Sequence, residues 1–186
     1  MISRMEAAAV AMLVSGFSDS SDGEALKSRE LVLMMLACTP APFSREQFTP
    51  GHVTATGLVL APDQERVLLV HHRRLDRWLL PGGHIEPDDA NPGAAARREV
   101  IEETGAVLAS DEAPPLASVD VHGIPAKGSE PYHLHHDLIF FFRATEDRLQ
   151  VSAESHQVAW CHPRDFERYN VPGNVRRAYR RIPEWL

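Results

Sequence analysis

Hydrophobic positions follow one rhythm at the start of the chain and another in its middle. Residues 7–14 are all apolar, and Ser18 to Gly23 form a Ser/Asp/Gly-rich break. Over 24–37, Leu26, Leu31, Leu33, Met34 and Met35 then recur at mostly helical spacing until Thr39-Pro40-Ala41-Pro42 stops them. This predicts a helical extension over residues 1–50, with a loop joining two short helices. Its Leu/Met stripe is expected to pack on the main domain or on a second subunit, so a homodimer stays open.

From His52 onward the period shortens to that of strands. HVTATGLVL at 52–60 is β-branched and roughly alternating, Ala61-Pro62-Asp63 reads as a turn, and VLLV at 67–70 completes a predicted hairpin. Trp78-Leu79-Leu80 runs into Pro81-Gly82-Gly83, and further strands are expected at 118–122, 138–144 and 158–161. The unbroken LIFFF run marks a buried central strand. Helices are expected over 92–104, around 164–169 and near 174–181. Strands interleaved with few helices predict an α/β (α+β) sandwich over residues 51–186, a mixed sheet with helices on its faces.

Composition narrows the function classes. The chain has 186 residues, 44% hydrophobic and 24% charged, an ordinary globular mixture. The apolar run at 7–14 is too short to cross a bilayer, so no membrane association is expected. A formal charge of −7 makes nucleic acid an unlikely partner and suits a protein that gathers a cation. Cys38 and Cys161 show neither disulfide-framework nor zinc-ligand spacing, which points to a reducing, cytoplasmic setting.

The chemistry concentrates in residues 82–106, GGHIEPDDANPGAAARREVIEETGA. Pro92 suits the first turn of a helix and Gly105 the position just past its end. Between them Glu99, Glu102 and Glu103 fall three and four residues apart and share one side of that helix. Like charges at this spacing repel, and a helix C-terminus disfavours them further. Arg98 stands at i,i+4 to Glu102 and offsets part of the charge. A hard divalent cation such as Mg²⁺ or Mn²⁺ is the natural compensator for the rest, where a solvated acidic face is the plain alternative.

With the Gly-Gly loop in front, this segment resembles the signature of the Nudix hydrolases. Arg98-Glu99-Val100-Ile101-Glu102-Glu103-Thr104-Gly105-Ala106 matches the second half of that signature at every fixed position, and Gly83 supplies its first glycine. There are two departures: Asp89 stands where the family has a Glu, and one extra residue lies between Gly83 and Arg98. In the family that Glu braces the Arg, so a side chain one methylene shorter is asked to orient Arg98.

The resemblance implies a Nudix-like α/β/α sandwich and a metal-dependent hydrolase that cleaves the pyrophosphate of a nucleoside diphosphate linked to another group. It implies Glu99, Glu102, Glu103 and the backbone near Gly83 as ligands of Mg²⁺ or Mn²⁺, with Arg98 orienting the acids. The catalytic base is Glu103 or Glu154, the latter in a loop ahead of the last strand. A nucleotide-sensing module of the same fold and an enzyme similar to isopentenyl diphosphate isomerase are the rival readings.

Histidines form a second group. In Tyr132-His133-Leu134-His135-His136-Asp137, period two puts His133, His135 and Asp137 on one strand face. An HxHxD strand suits a metal or a phosphate, but no third and fourth ligand lie at local zinc-like spacing. His135 and Asp137 are therefore read as lining a substrate cleft. Arg73, in the cluster His71-His72-Arg73-Arg74, is read as a source of positive charge for the polyphosphate.

Overall fold

The computed structural model describes residues 5–109, 113–153 and 155–185. Two helices lead, α1 (Ala7–Ser15) and α2 (Gly23–Cys38). The strands are β1 (Gly51–Leu60), β2 (Val67–His72), β3 (Arg77–Leu79), β4 (Gly82–His84), β5 (Leu116–Ile124), β6 (His133–Arg143) and β7 (Ser155–Cys161). Helix α3 (Pro92–Thr104) follows β4, and α4 (Gly173–Tyr179) follows β7. The helix expected around 164–169 is only a 3-10 turn, Pro163–Asp165, and Asn170 at a φ of 46° redirects the chain soon after.

One mixed sheet runs in the order β3-β2-β1-β6-β5, with β4 added to β1 and β7 to β2. Its spine is the parallel pair β1 and β6, in register from Gly51 with Leu134 to Leu60 with Arg143. Pleating sends alternate residues of this spine to two cores. Val53, Ala55, Val59, Leu138, Phe140 and Phe142 pack with Ala95, Ala96 and Val100 of α3, whereas Leu58, Leu60, Ile139 and Phe141 pack with Val175 and Ala178 of α4. LIFFF is thus the buried central strand its composition predicts.

The N-terminal helices dock on this sheet. Val10, Val14, Phe17, Ala25, Val32, Met35 and Leu36 share a core with α3 and the spine. Ser28 Oγ accepts from Val121 N–H of β5 at 3.1 Å, satisfying a donor on an edge strand. Arg177 pairs with Asp22 at 3.0 Å and with Asp120 at 3.5 Å, and Arg176 with Glu167 at 2.6 Å, so the basic C-terminal face meets carboxylates of its own chain.

Helix α3 ends as its sequence dictates. Asn91 Oδ1 caps Ala94 N–H at 2.9 Å, Pro92 opens the first turn, and Gly105 turns left-handed at φ 62°. Its height over the sheet is set at Gly57, where a Cβ would lie 2.2 Å from Val100 Cγ2. Gly57→Ala is expected to push α3 off β1 and destabilise the fold by about 1–3 kcal/mol, read as a lower urea midpoint.

Candidate active site

The acidic edge of α3 faces β4, and Arg98 is its hub. Arg98 Nε and Nη2 donate to Asp89 Oδ1 and Oδ2 at 3.1 and 2.9 Å, a bidentate fork. Its Nη1 donates to Glu99 Oε1 at 2.9 Å and Glu102 Oε2 at 3.1 Å, and Nη2 also reaches the His84 carbonyl at 3.0 Å. The hydrogen bonds it donates to Asp89 first, then Glu99, raise the guanidinium pKa beyond its already high value. The shorter Asp89 reaches because its loop folds tightly: Glu86 N–H donates to Asp89 Oδ2 at 2.8 Å and Asp89 N–H to the Glu86 carbonyl at 3.0 Å.

The three glutamates have distinct surroundings. Glu103 is 4% exposed and its Oε2 accepts from Gly82 N–H at 3.0 Å, tying the helix to β4. The Glu99 side chain is 15% exposed and rests on Gly83, where a Cβ would come within 2.7 Å of its Cδ and Oε1. Glu102 is the outward member, with a side chain 60% exposed. Gly83→Ala is expected to displace the Glu99 carboxylate and weaken Mn²⁺ binding about 10-fold or more, read by calorimetric titration.

The opposite face of β4 carries different chemistry. Because neighbouring residues of a strand point to opposite sides, Gly83 faces Glu99 while His84 joins the face of Thr54, its register partner on β1. There His52 of β1 lies beside His135 of β6, with ring centroids 4.9 Å apart, and His133 and His84 lie 5.1 and 5.0 Å from His52. Burial first, then the neighbouring imidazoles, push His135 down to about 2 and His84 to about 4. His122 lies above its ordinary value: burial opposes its charge, but the Asp120 hydrogen bond and the Asp137 charge outweigh it.

One expectation for this face is corrected. Asp137 does not line a cleft; it is 6% exposed, and its Oδ1 accepts from Thr54 and Thr56 hydroxyls at 2.9 and 2.8 Å. Burial raises its pKa. The third histidine near the HxHxD pattern, His52, arrives from β1 through long-range parallel pairing. No local spacing signals that residue. Arg73 sits in the β2–β3 turn, 3.4 Å from the Ser155 carbonyl, while Arg74 beside it pairs with Glu130 at 3.0 Å next to the histidines. Glu154 lies outside the described residues.

The NUDIX domain family matches residues 51–186 of the chain. Among curated proteins, a diphosphoinositol polyphosphate phosphohydrolase 3-beta from Bos taurus is 54% identical over 43 residues, 23% of this chain and 26% of its own. A diphosphoinositol polyphosphate phosphohydrolase 2 from Rattus norvegicus is 51% identical over 43 residues, again 23% of this chain and 24% of its own. The chain thus spans about a quarter of the length of the curated relatives it matches. Among solved structures, a NUDIX-family hydrolase from Clostridium perfringens aligns with a TM-score of 0.53 and 21% identity over 73% of this chain and 98% of its own. A C. elegans Ap4A hydrolase aligns with a TM-score of 0.53 and 18% identity over 72% of this chain and 98% of its own. At these identities the likeness shows the fold. With the matched family spanning the whole sheet, α3 and α4, and with the Arg98 hub and glutamate edge in place, the chain belongs to the Nudix family.

Proposed function

We propose that this chain is a divalent-cation-dependent hydrolase that cleaves the pyrophosphate bond of a nucleoside diphosphate linked to another moiety, acting in the cytoplasm. The observation that supports it most is Arg98, clamped by Asp89 and aligning Glu99 and Glu102 beside Gly83. The donor set suits Mg²⁺ or Mn²⁺, being carboxylate oxygen from Glu99, Glu102 and Glu103 with main-chain oxygen near Gly83. Glycine at 83 fits as well, because any side chain there would occupy the place of the Glu99 carboxylate. When bound, such an ion neutralises charge developing on the phosphoryl oxygens and lowers the pKa of attacking water.

The chain's own groups do the rest. Arg98 is a positioning residue: it holds two carboxylates at fixed angles and limits their repulsion. Glu103, on its Gly82 tether, or Glu154 takes the proton of the attacking water. Arg73, at the β2–β3 turn, supplies positive charge for the polyphosphate. The test is phosphate release, with added phosphatase, from a panel of nucleoside diphosphate derivatives in Mg²⁺ or Mn²⁺. The panel includes a diphosphoinositol polyphosphate, named in the curated relatives. Turnover of at least one nucleotide is expected. Tight nucleotide binding without turnover would instead make the chain a sensor.

A further inference from the structure

Three imidazoles cluster on the face opposite the acidic helix. Among the described residues, His52, His133 and His135 form the one set of three His, Cys, Asp or Glu side chains whose ligand atoms all lie within 4.8 Å of one another. Two of the rings are held in a defined tautomer. His52 Nδ1 lies 3.1 Å from the Gln47 carbonyl and His133 Nδ1 lies 2.8 Å from the Pro131 carbonyl. A carbonyl oxygen only accepts, so each Nδ1 carries the proton and each Nε2 of the neutral ring offers a lone pair.

That lone pair is costly where it stands. His52 is 1% exposed, and its Nε2 has no hydrogen-bond partner among the described residues. Nitrogen lone pairs that converge without a proton between them call for a shared electrophile. Neutral imidazole suits borderline transition metals, whereas Mg²⁺ prefers oxygen. A ligand histidine whose other ring N–H is anchored on a backbone carbonyl is the outer-shell arrangement such sites use.

Space agrees. A cavity of about 30 Å³ is lined by His52, His84, His133 and His135 together with Arg45, Arg74 and Glu130, the last paired with Arg74 at 3.0 Å. That volume accommodates a single small ion or water. His84 stands beside the three rings, its centroid 5.5 Å from that of His135, and Asp120 and Asp137 stand further along the same face.

We propose that His52, His133 and His135 form a nitrogen-ligand site for a borderline divalent metal, zinc foremost, separate from the glutamate edge of α3. Such a site joins β1 to β6 and, through Gln47 and Pro131, fixes the segments that enter both strands. It gives His135 a role other than contact with substrate, and it stands whether or not the hydrolase reading holds.

The test uses full-length chain, stripped with chelator, in a Glu99→Gln/Glu102→Gln/Glu103→Gln background that removes the oxygen site. One equivalent of zinc is expected to bind in calorimetric titration and to raise the unfolding temperature. Magnesium at the same concentration is expected to do neither. In the same background, His133→Gln/His135→Gln is expected to lose at least 100-fold in zinc affinity. Should that variant fail to fold, zinc-edge X-ray absorption of the loaded background decides, with nitrogen neighbours expected at about 2.0 Å. Absence of stoichiometric zinc binding, unchanged affinity in the folded histidine variant, or an oxygen-only shell would each overturn the site.

Discussion

Glu103→Gln is expected to reduce kcat by a factor on the order of 10³ while leaving the unfolding temperature in chelator unchanged or slightly raised. The two halves of this result have different causes. Gln keeps an oxygen that accepts the Gly82 N–H bond, so the 3.0 Å link between α3 and β4 survives. Removing the charge also relieves its repulsion of Glu99 and Glu102, one helical turn or less away. What disappears is the carboxylate proposed to ligate a cation or take a proton. Phosphate release and thermal unfolding measured on the same preparation check both halves. Undiminished turnover would remove Glu103 from the mechanism.

The second large effect is expected at Arg98, and here stability moves. Arg98→Ala leaves Asp89, 7% exposed, without its cation and lets Glu99 and Glu102 repel each other. Loss of one partner of such a pair is expected to cost about 3 kcal/mol. Asp89→Asn in the Arg98→Ala background is expected to recover part of that loss, because it removes the stranded charge; a double-mutant cycle by urea unfolding measures the coupling. Arg98→Lys separates charge from geometry. Lysine keeps the charge but cannot fork onto Asp89 and also reach Glu99, Glu102 and the His84 carbonyl, so turnover is expected to fall about 10-fold or more with stability closer to wild type.

Legibility of the chain tracks how local each signal is. Helix α3 spans Pro92–Thr104 as its Pro, its glutamate spacing and Gly105 predict, since caps and helical neighbours act within a few residues. The same holds for the Arg98–Glu102 pair, found at 3.1 Å. Residues 164–169 show the limit: a helix is expected there, yet the chain forms a 3-10 segment at Pro163–Asp165 followed by turns. Whether Asp89 could replace a longer Glu depended on the turn that presents it, closed by two hydrogen bonds with Glu86. Of the N-terminal stripe, Met35 is buried with Val10, Val14 and Val32 against the sheet of the same chain, whereas Leu31 and Met34 are 37% and 62% exposed.

By itself the sequence determined the strand and helix periods, the alignment of three glutamates and an arginine on one helix, and the pairing of His133 with His135, because each depends on a repeat of two to four residues along the backbone. Only the tertiary structure decided that Asp137 is enclosed by two threonine hydroxyls and that His52, more than 80 positions before His135, completes a triangle of nitrogens. Those outcomes follow from the parallel register of β1 with β6. Many weak contacts across the whole sheet set that register, and no short stretch of residues encodes it.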